Sequence, residues 1–234
     1  MISVREKPKK IYILREKHPI NLEEMANLRA VLSLMKLERS ERSSYENSEK
    51  IVEILKEFDK MYEDAETIRR RELEYLKILT QGLEDRCKIY TEGDKKALEE
   101  GRPEILKFAR ETGIELVPLD EGNKLYEEYN KKVSQLFEFI SNISRGINEQ
   151  ESTKSIRDIF EEFKQIEYKM QKERESHWAG KIRETMGESE VAIVIVGAAH
   201  VGRNKNKNNE YMGYFDEILR KMGYEVEVVA TIIP

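Results

Sequence analysis

Three observations predict an α/β fold: a central, mostly parallel sheet of about five strands with long helical insertions. Five short segments of β-type composition alternate with helical stretches, the arrangement that gives parallel sheets. The run Val191–Val196 is continuously apolar, as a strand covered on both faces must be. Gly and Pro together make only 17 of 234 residues, well below the roughly 12% of average usage, so the elements are long and rarely broken.

In chain order, the first strand is Ile11-Tyr-Ile-Leu14. A helical stripe follows, with Ile51, Leu55, Phe58, Tyr62, Ala65 and Ile68 recurring every three or four residues and continuing through Leu76, Leu79 and Leu83. Lys88–Thr91 and Ile114–Pro118 read as the second and third strands. A second stripe runs through Tyr129, Val133, Leu136, Ile140, Ile143 and Ile147. Gly146 and the polar stretch 148–153 separate it from a third, on Ile159, Phe163, Ile166, Met170, Trp178, Ile182 and Met186. Val191–Val196 is the fourth strand, Tyr211–Met222 a helix, and Glu225–Ile232 the last strand. The expected organisation is one domain over residues 1–234, with helical insertions at about 45–85 and 122–187. Those insertions suit either a bundle packed on the sheet or an arm that joins two copies into a homo-oligomer.

Composition narrows the function classes. The net charge is −5, so no overall field favours nucleic acid. The longest apolar run, Val191–Val201, is 11 residues, against about 20 for a membrane helix. The start, Met1–Lys10, is charged and contains Pro8, unlike a signal peptide. A single cysteine, Cys87, excludes an intramolecular disulfide framework and fits a reducing compartment, so a cytoplasmic location is expected. Cys87 reads as a core residue. Arg69–Arg71, set among Glu66, Glu72 and Glu74, reads as a solvated, salt-bridged helix face. Neither a GxGxxG after a strand, nor a GxxxxGK[ST], nor an HExxH is present.

Chemistry-bearing residues collect where strands end. There are three histidines, His18, His177 and His200. His18 follows the first strand through Arg15-Glu-Lys, and His200 follows the fourth through Gly197-Ala-Ala. Glu92 follows the second strand. Ligands of open parallel sheets bind beyond the carboxyl ends of the strands, so His18, His200, Glu16 and Glu92 are expected to converge there. Imidazole and carboxylate suit Zn, Mn, Co or Fe. Gly197 is expected at a sharp turn. Arg174 and His177 interrupt the apolar stripe of the third helix. From Arg174 to Gly187 is 13 residues, roughly 20 Å of helix, and from Glu190 back to Gly197 is roughly 23 Å of strand. A helix antiparallel to the strand therefore returns Arg174 and His177 to the level of His200. There Arg174 would meet an anion, or form a structural tie with a glutamate. The basic, polar stretch 202–209 reads as a loop over the crevice.

Ile-Leu-Arg15-Glu-Lys-His18, Glu92 after a strand, Arg174-Glu-Ser-His-Trp-Ala179 and Val191-Ala-Ile-Val-Ile-Val-Gly197-Ala-Ala-His200-Val-Gly202 together resemble the erythromycin-esterase, ChaN, TraB and Tiki superfamily. The likeness is strongest from Arg174 to Ile233 and leaves out the helical insertions. Arg15 stands where the superfamily has glycine. The resemblance implies an α/β fold of two related halves and, for some members, metal-dependent hydrolysis of peptides or esters; others are linked to haem binding. The expectation is therefore a hydrolase of a small-molecule ester or a peptide. His18, Glu92 and His200 would hold a divalent ion, and Glu16, Arg174 and His177 would serve catalysis. The alternatives are a haem- or metal-binding protein without turnover, and a helical scaffold protein with an idle site.

Overall fold

The computed structural model describes residues 9–16, 66–143, 165, 169–170, 173–201 and 213–232. The chain divides into two compact units. The first, built from Met1–His18, Glu66–Asn123 and Gln171–Pro234, contains the sheet. Its strands are β1 (Lys10–Glu16), β2 (Cys87–Thr91), β3 (Glu115–Pro118), β4 (Val191–Gly197) and β5 (Glu225–Ile232). Their order is β3-β2-β4-β1-β5, and every pairing is parallel. All five strands coincide with the predicted segments to within a residue or two.

β4 lies at the centre and is buried at every residue, which explains its unbroken apolar sequence. Alternation assigns its side chains to two cores. Ala192, Val194 and Val196 face a cluster with Ile11, Ile13, Tyr90, Trp178, Ile182, Phe215 and Leu219. Val191, Ile193 and Ile195 face the other, with Leu14, Ile68, Leu76, Ile89, Ile105 and Phe108. Fully burying one such side chain contributes about 1.5–3 kcal/mol.

Helices cover both faces. The helix over residues 66–80 (α1) and α3 (Pro103–Thr112) supply the second core. The helix over residues 173–185 (α5) and α6 (Phe215–Lys221) supply the first. Local chemistry sets their ends. Asp94 caps α2 (Lys95–Gly101) by accepting from the Ala97 N–H at 2.8 Å. Pro103 opens α3, and Gly113 closes it with φ 72°. α1 stops before Leu83, which the apolar stripe had included, because the chain turns at Gly82 with φ 74°. A bulge at Val229 shifts the register of β5 on β1.

The second unit comprises Pro19–Ala65 and Lys124–Met170. It contains α4 (Lys124–Ile143), where Tyr129 is buried with Met170, and Tyr126 packs on the pair. No helix among the described residues is long and apolar enough to cross a membrane.

Candidate functional site

Three parallel strands end side by side, and their hydrogen bonds continue past the sheet. Glu92 donates its N–H to the Ile195 carbonyl at 3.0 Å, so β2 stays tied to β4 for one more residue. Gly93 then turns the chain with φ 100°, a conformation that favours glycine. Beyond β3, the Leu119 N–H donates to Thr91 and the Asp120 N–H to Gly93. Asp120 is thereby fixed beside Glu92, and it is fully buried.

α5 runs antiparallel to the strands, as the length argument required: Thr185 lies beside Lys88 and Tyr90 near the start of β2, and Arg174 lies beyond its end. Arg174 grips both oxygens of Asp120, through Nε at 2.9 Å and Nη2 at 2.6 Å. Its Nη1 lies 2.7 Å from Glu92 Oε1. Trp178, one turn on, donates Nε1–H to Asp120 at 2.8 Å, and the guanidinium lies 4.6 Å from its ring centroid. The Gly93 N–H donates to Asp120 Oδ2 at 2.8 Å. Three charge-assisted bonds therefore hold the Arg174 guanidinium. The structural tie weighed for Arg174 is present, with an aspartate as well as a glutamate in it.

His200 closes the cluster from the 3-10 turn Ala198–His200 after β4. Its Nδ1 is 3.1 Å from Glu175 Oε1, whose other oxygen accepts from the Tyr214 N–H at 2.8 Å. Its Nε2 is 3.9 Å from Glu92 Oε1. Trp178 packs edge-on against the imidazole with centroids 4.8 Å apart. Gly197 has φ −55° and ψ 140°, which any residue adopts, so the expected glycine turn is not there. What Gly197 provides is its N–H, donated to Glu92 Oε2 at 2.7 Å.

Of the residues the sequence singled out, Glu92, Arg174 and His200 come together. His18 and the 202–209 loop lie outside the described residues. His177 is half-buried; among the described residues its enclosed Nε2 has no hydrogen-bond partner, and it takes no part in the contacts above. Glu16 is elsewhere: alternation puts it on the Leu14 face, where it pairs with Arg102. Arg15, half-buried and level with Val196 in register, falls on the Ile11 and Ile13 face.

Two members of the cluster were not anticipated. Asp120 follows a strand as closely as Glu92 does, so the same strand-end rule reaches it. Glu175 sits inside the Arg174–Ala179 motif, next to the arginine. On the same face, earlier in β2, burial pushes the Tyr90 hydroxyl up to about 12.

The fit to a metal ion can be tested on these donors. Glu92 has one oxygen on Arg174 and one on the Gly197 N–H, and Glu175 occupies His200 Nδ1. Among the described residues, no three of His, Cys, Asp or Glu are grouped to hold an ion. His200 Nε2 and Glu92 alone do not form a ligand set. Comparison with protein-family models, with curated proteins and with solved structures yields no match.

Proposed function

We propose that this chain is a hydrolase of an ester or peptide bond, with His200 as its proton-transfer group. The observation that carries the reading is the Glu175–His200 pair. A carboxylate 3.1 Å from Nδ1 fixes the tautomer with its proton on that nitrogen, so that Nε2 carries the basic lone pair. Nε2 and Glu92 Oε1 are 3.9 Å apart, a gap that one water molecule spans with a hydrogen bond to each.

In this reading Nε2 takes a proton from the water as its oxygen attacks the carbonyl carbon, and then returns it to the leaving group. Arg174, engaged by Asp120 and Glu92, is a positioning residue that holds Glu92 in place. The likeness of Arg174–Ala179 and Gly197–His200 to the erythromycin-esterase, ChaN, TraB and Tiki superfamily supports the same reaction class. Every step in this reading uses the chain's own residues, since no metal-holding group of His, Cys, Asp or Glu forms among the described residues.

The experiment is turnover on panels of model esters and peptides, with elemental analysis of the same preparations. His200→Ala should lose about 10²–10⁴-fold in rate while retaining a folded circular-dichroism spectrum. A folded His200→Ala protein that turns over like wild type sinks the reading. Metal present in wild type and absent from His200→Ala would restore the metal-dependent version.

The saturation of Arg174 favours one rival, in which the cluster only ties strand ends together and the long helices serve a partner. In that case wild type turns over nothing on the panels, and His200→Ala changes stability alone.

A further inference from the structure

On the opposite face of the sheet, two buried carboxyl groups meet on one guanidinium. Arg102 donates from Nη1 to Glu72 Oε1 at 2.8 Å and from Nη2 to Glu16 Oε1. The three side chains are 14%, 1% and 5% exposed. The two nitrogens belong to one guanidinium, which holds the two carboxyl groups side by side.

With both glutamates ionised, two negative charges would share one guanidinium beside the apolar cluster of Leu14, Ile68 and Leu76. A like charge held this close disfavours ionisation of the second carboxyl. Among the described residues, no donor reaches Glu72 Oε2, which is buried. The charged groups among the described residues that face Glu72 are Glu16 from β1 and Arg102 from the junction of α2 and α3. Glu92 adds its field at Arg102. Arg69, Arg70 and Glu104 line a surface depression with Leu73, the residue after Glu72.

We propose that Glu72 is a proton-binding site: it stays protonated at neutral pH, hydrogen-bonds Glu16 through that proton, and pins the helix over residues 66–80 to the end of β1 through Arg102. Burial above all holds the Glu72 carboxyl well above the ordinary range; Arg102 pulls it down, and the Glu16 carboxyl pushes it back up. A carboxyl that binds its proton more tightly when folded contributes stability that is complete below its unfolded value of about 4.3. That stability is lost as the pH climbs through the folded value. Between those limits, one such proton raises the unfolding equilibrium constant about tenfold per pH unit.

The test is denaturant unfolding of the full chain from pH 5 to pH 9, wild type beside Glu72→Gln. Glutamine keeps the acceptor for Arg102 and supplies a permanent donor to Glu16. The variant should lack the one-proton slope and match or exceed wild type in stability at pH 8. A stability difference that does not change with pH overturns the proposal. Infrared difference spectra of wild type alone give a second readout that needs no folded variant. A protonated-carboxyl C=O stretch should persist at pH 7.5, where exposed carboxylates are ionised. Its absence overturns the proposal as well.

Discussion

At the carboxyl ends of the strands, each face of the sheet sets one buried arginine between two carboxylates. On one face Arg174 holds Asp120 and Glu92; on the other Arg102 holds Glu16 and Glu72. What differs is the supply of N–H donors. Asp120 accepts from Trp178 and from Gly93 besides Arg174, and Glu92 accepts from Gly197. Glu72 keeps an oxygen that no donor among the described residues reaches. Hydrogen bonds to the charged form keep a buried carboxylate ionised, and burial without them favours the neutral acid. The donor-rich face therefore suits fixed charges around an imidazole, and the donor-poor face suits a proton.

The largest effect that would break this comparison is at Asp120. Asp120→Ala removes two of the bonds on the Arg174 guanidinium and leaves the Trp178 N–H and the Gly93 N–H without the acceptor they share. It should destabilise the chain by about 3–5 kcal/mol, measured by denaturant unfolding; a loss under about 1 kcal/mol would show that the network is slack. Next comes Trp178→Phe, which keeps an aromatic ring against His200 but removes the N–H to Asp120. A hydrogen bond to a charged group contributes about 1.5–3 kcal/mol, and an equal loss in an Asp120→Ala background would deny the coupling. The smallest effect is the control. Arg86 meets Glu190 at 3.3 Å, with both side chains more than half exposed. Arg86→Ala should therefore change stability by no more than about 1 kcal/mol. A larger loss would show that exposed pairs count in this fold and would blur the contrast between buried and solvated arginines.

Much of this was legible before any coordinates. The strand-end rule placed Glu92 and His200 on one edge, and the residue count along helix and strand brought Arg174 to their level. The same rule overreached at Glu16, because period-2 alternation gives successive strand residues opposite faces. Leu14 and Glu16 share a face, and that face is not the one with Trp178. Arg102 carried no signal, and Glu72, expected on a solvated face with Arg69–Arg71, is buried instead: arginines and glutamates are abundant here and only packing selects the buried ones. Gly197 was misread as a turn because glycine has two uses. Here its N–H makes the contact, while Gly93 takes the left-handed backbone.

Among the described residues, local pattern was enough to determine the strands and the helices between them. Apolar alternation and continuity mark strands, three-to-four spacing marks helices, and Asp94, Pro103 and Gly113 mark helix ends. Only the tertiary structure decided which charges meet. The order β3-β2-β4-β1-β5 brings residues 92, 120, 174 and 200 together on one face and 16, 72 and 102 on the other. The physical reason is that a buried charge is tolerable only beside its partners, and a partner a hundred residues away is chosen by the topology of the sheet.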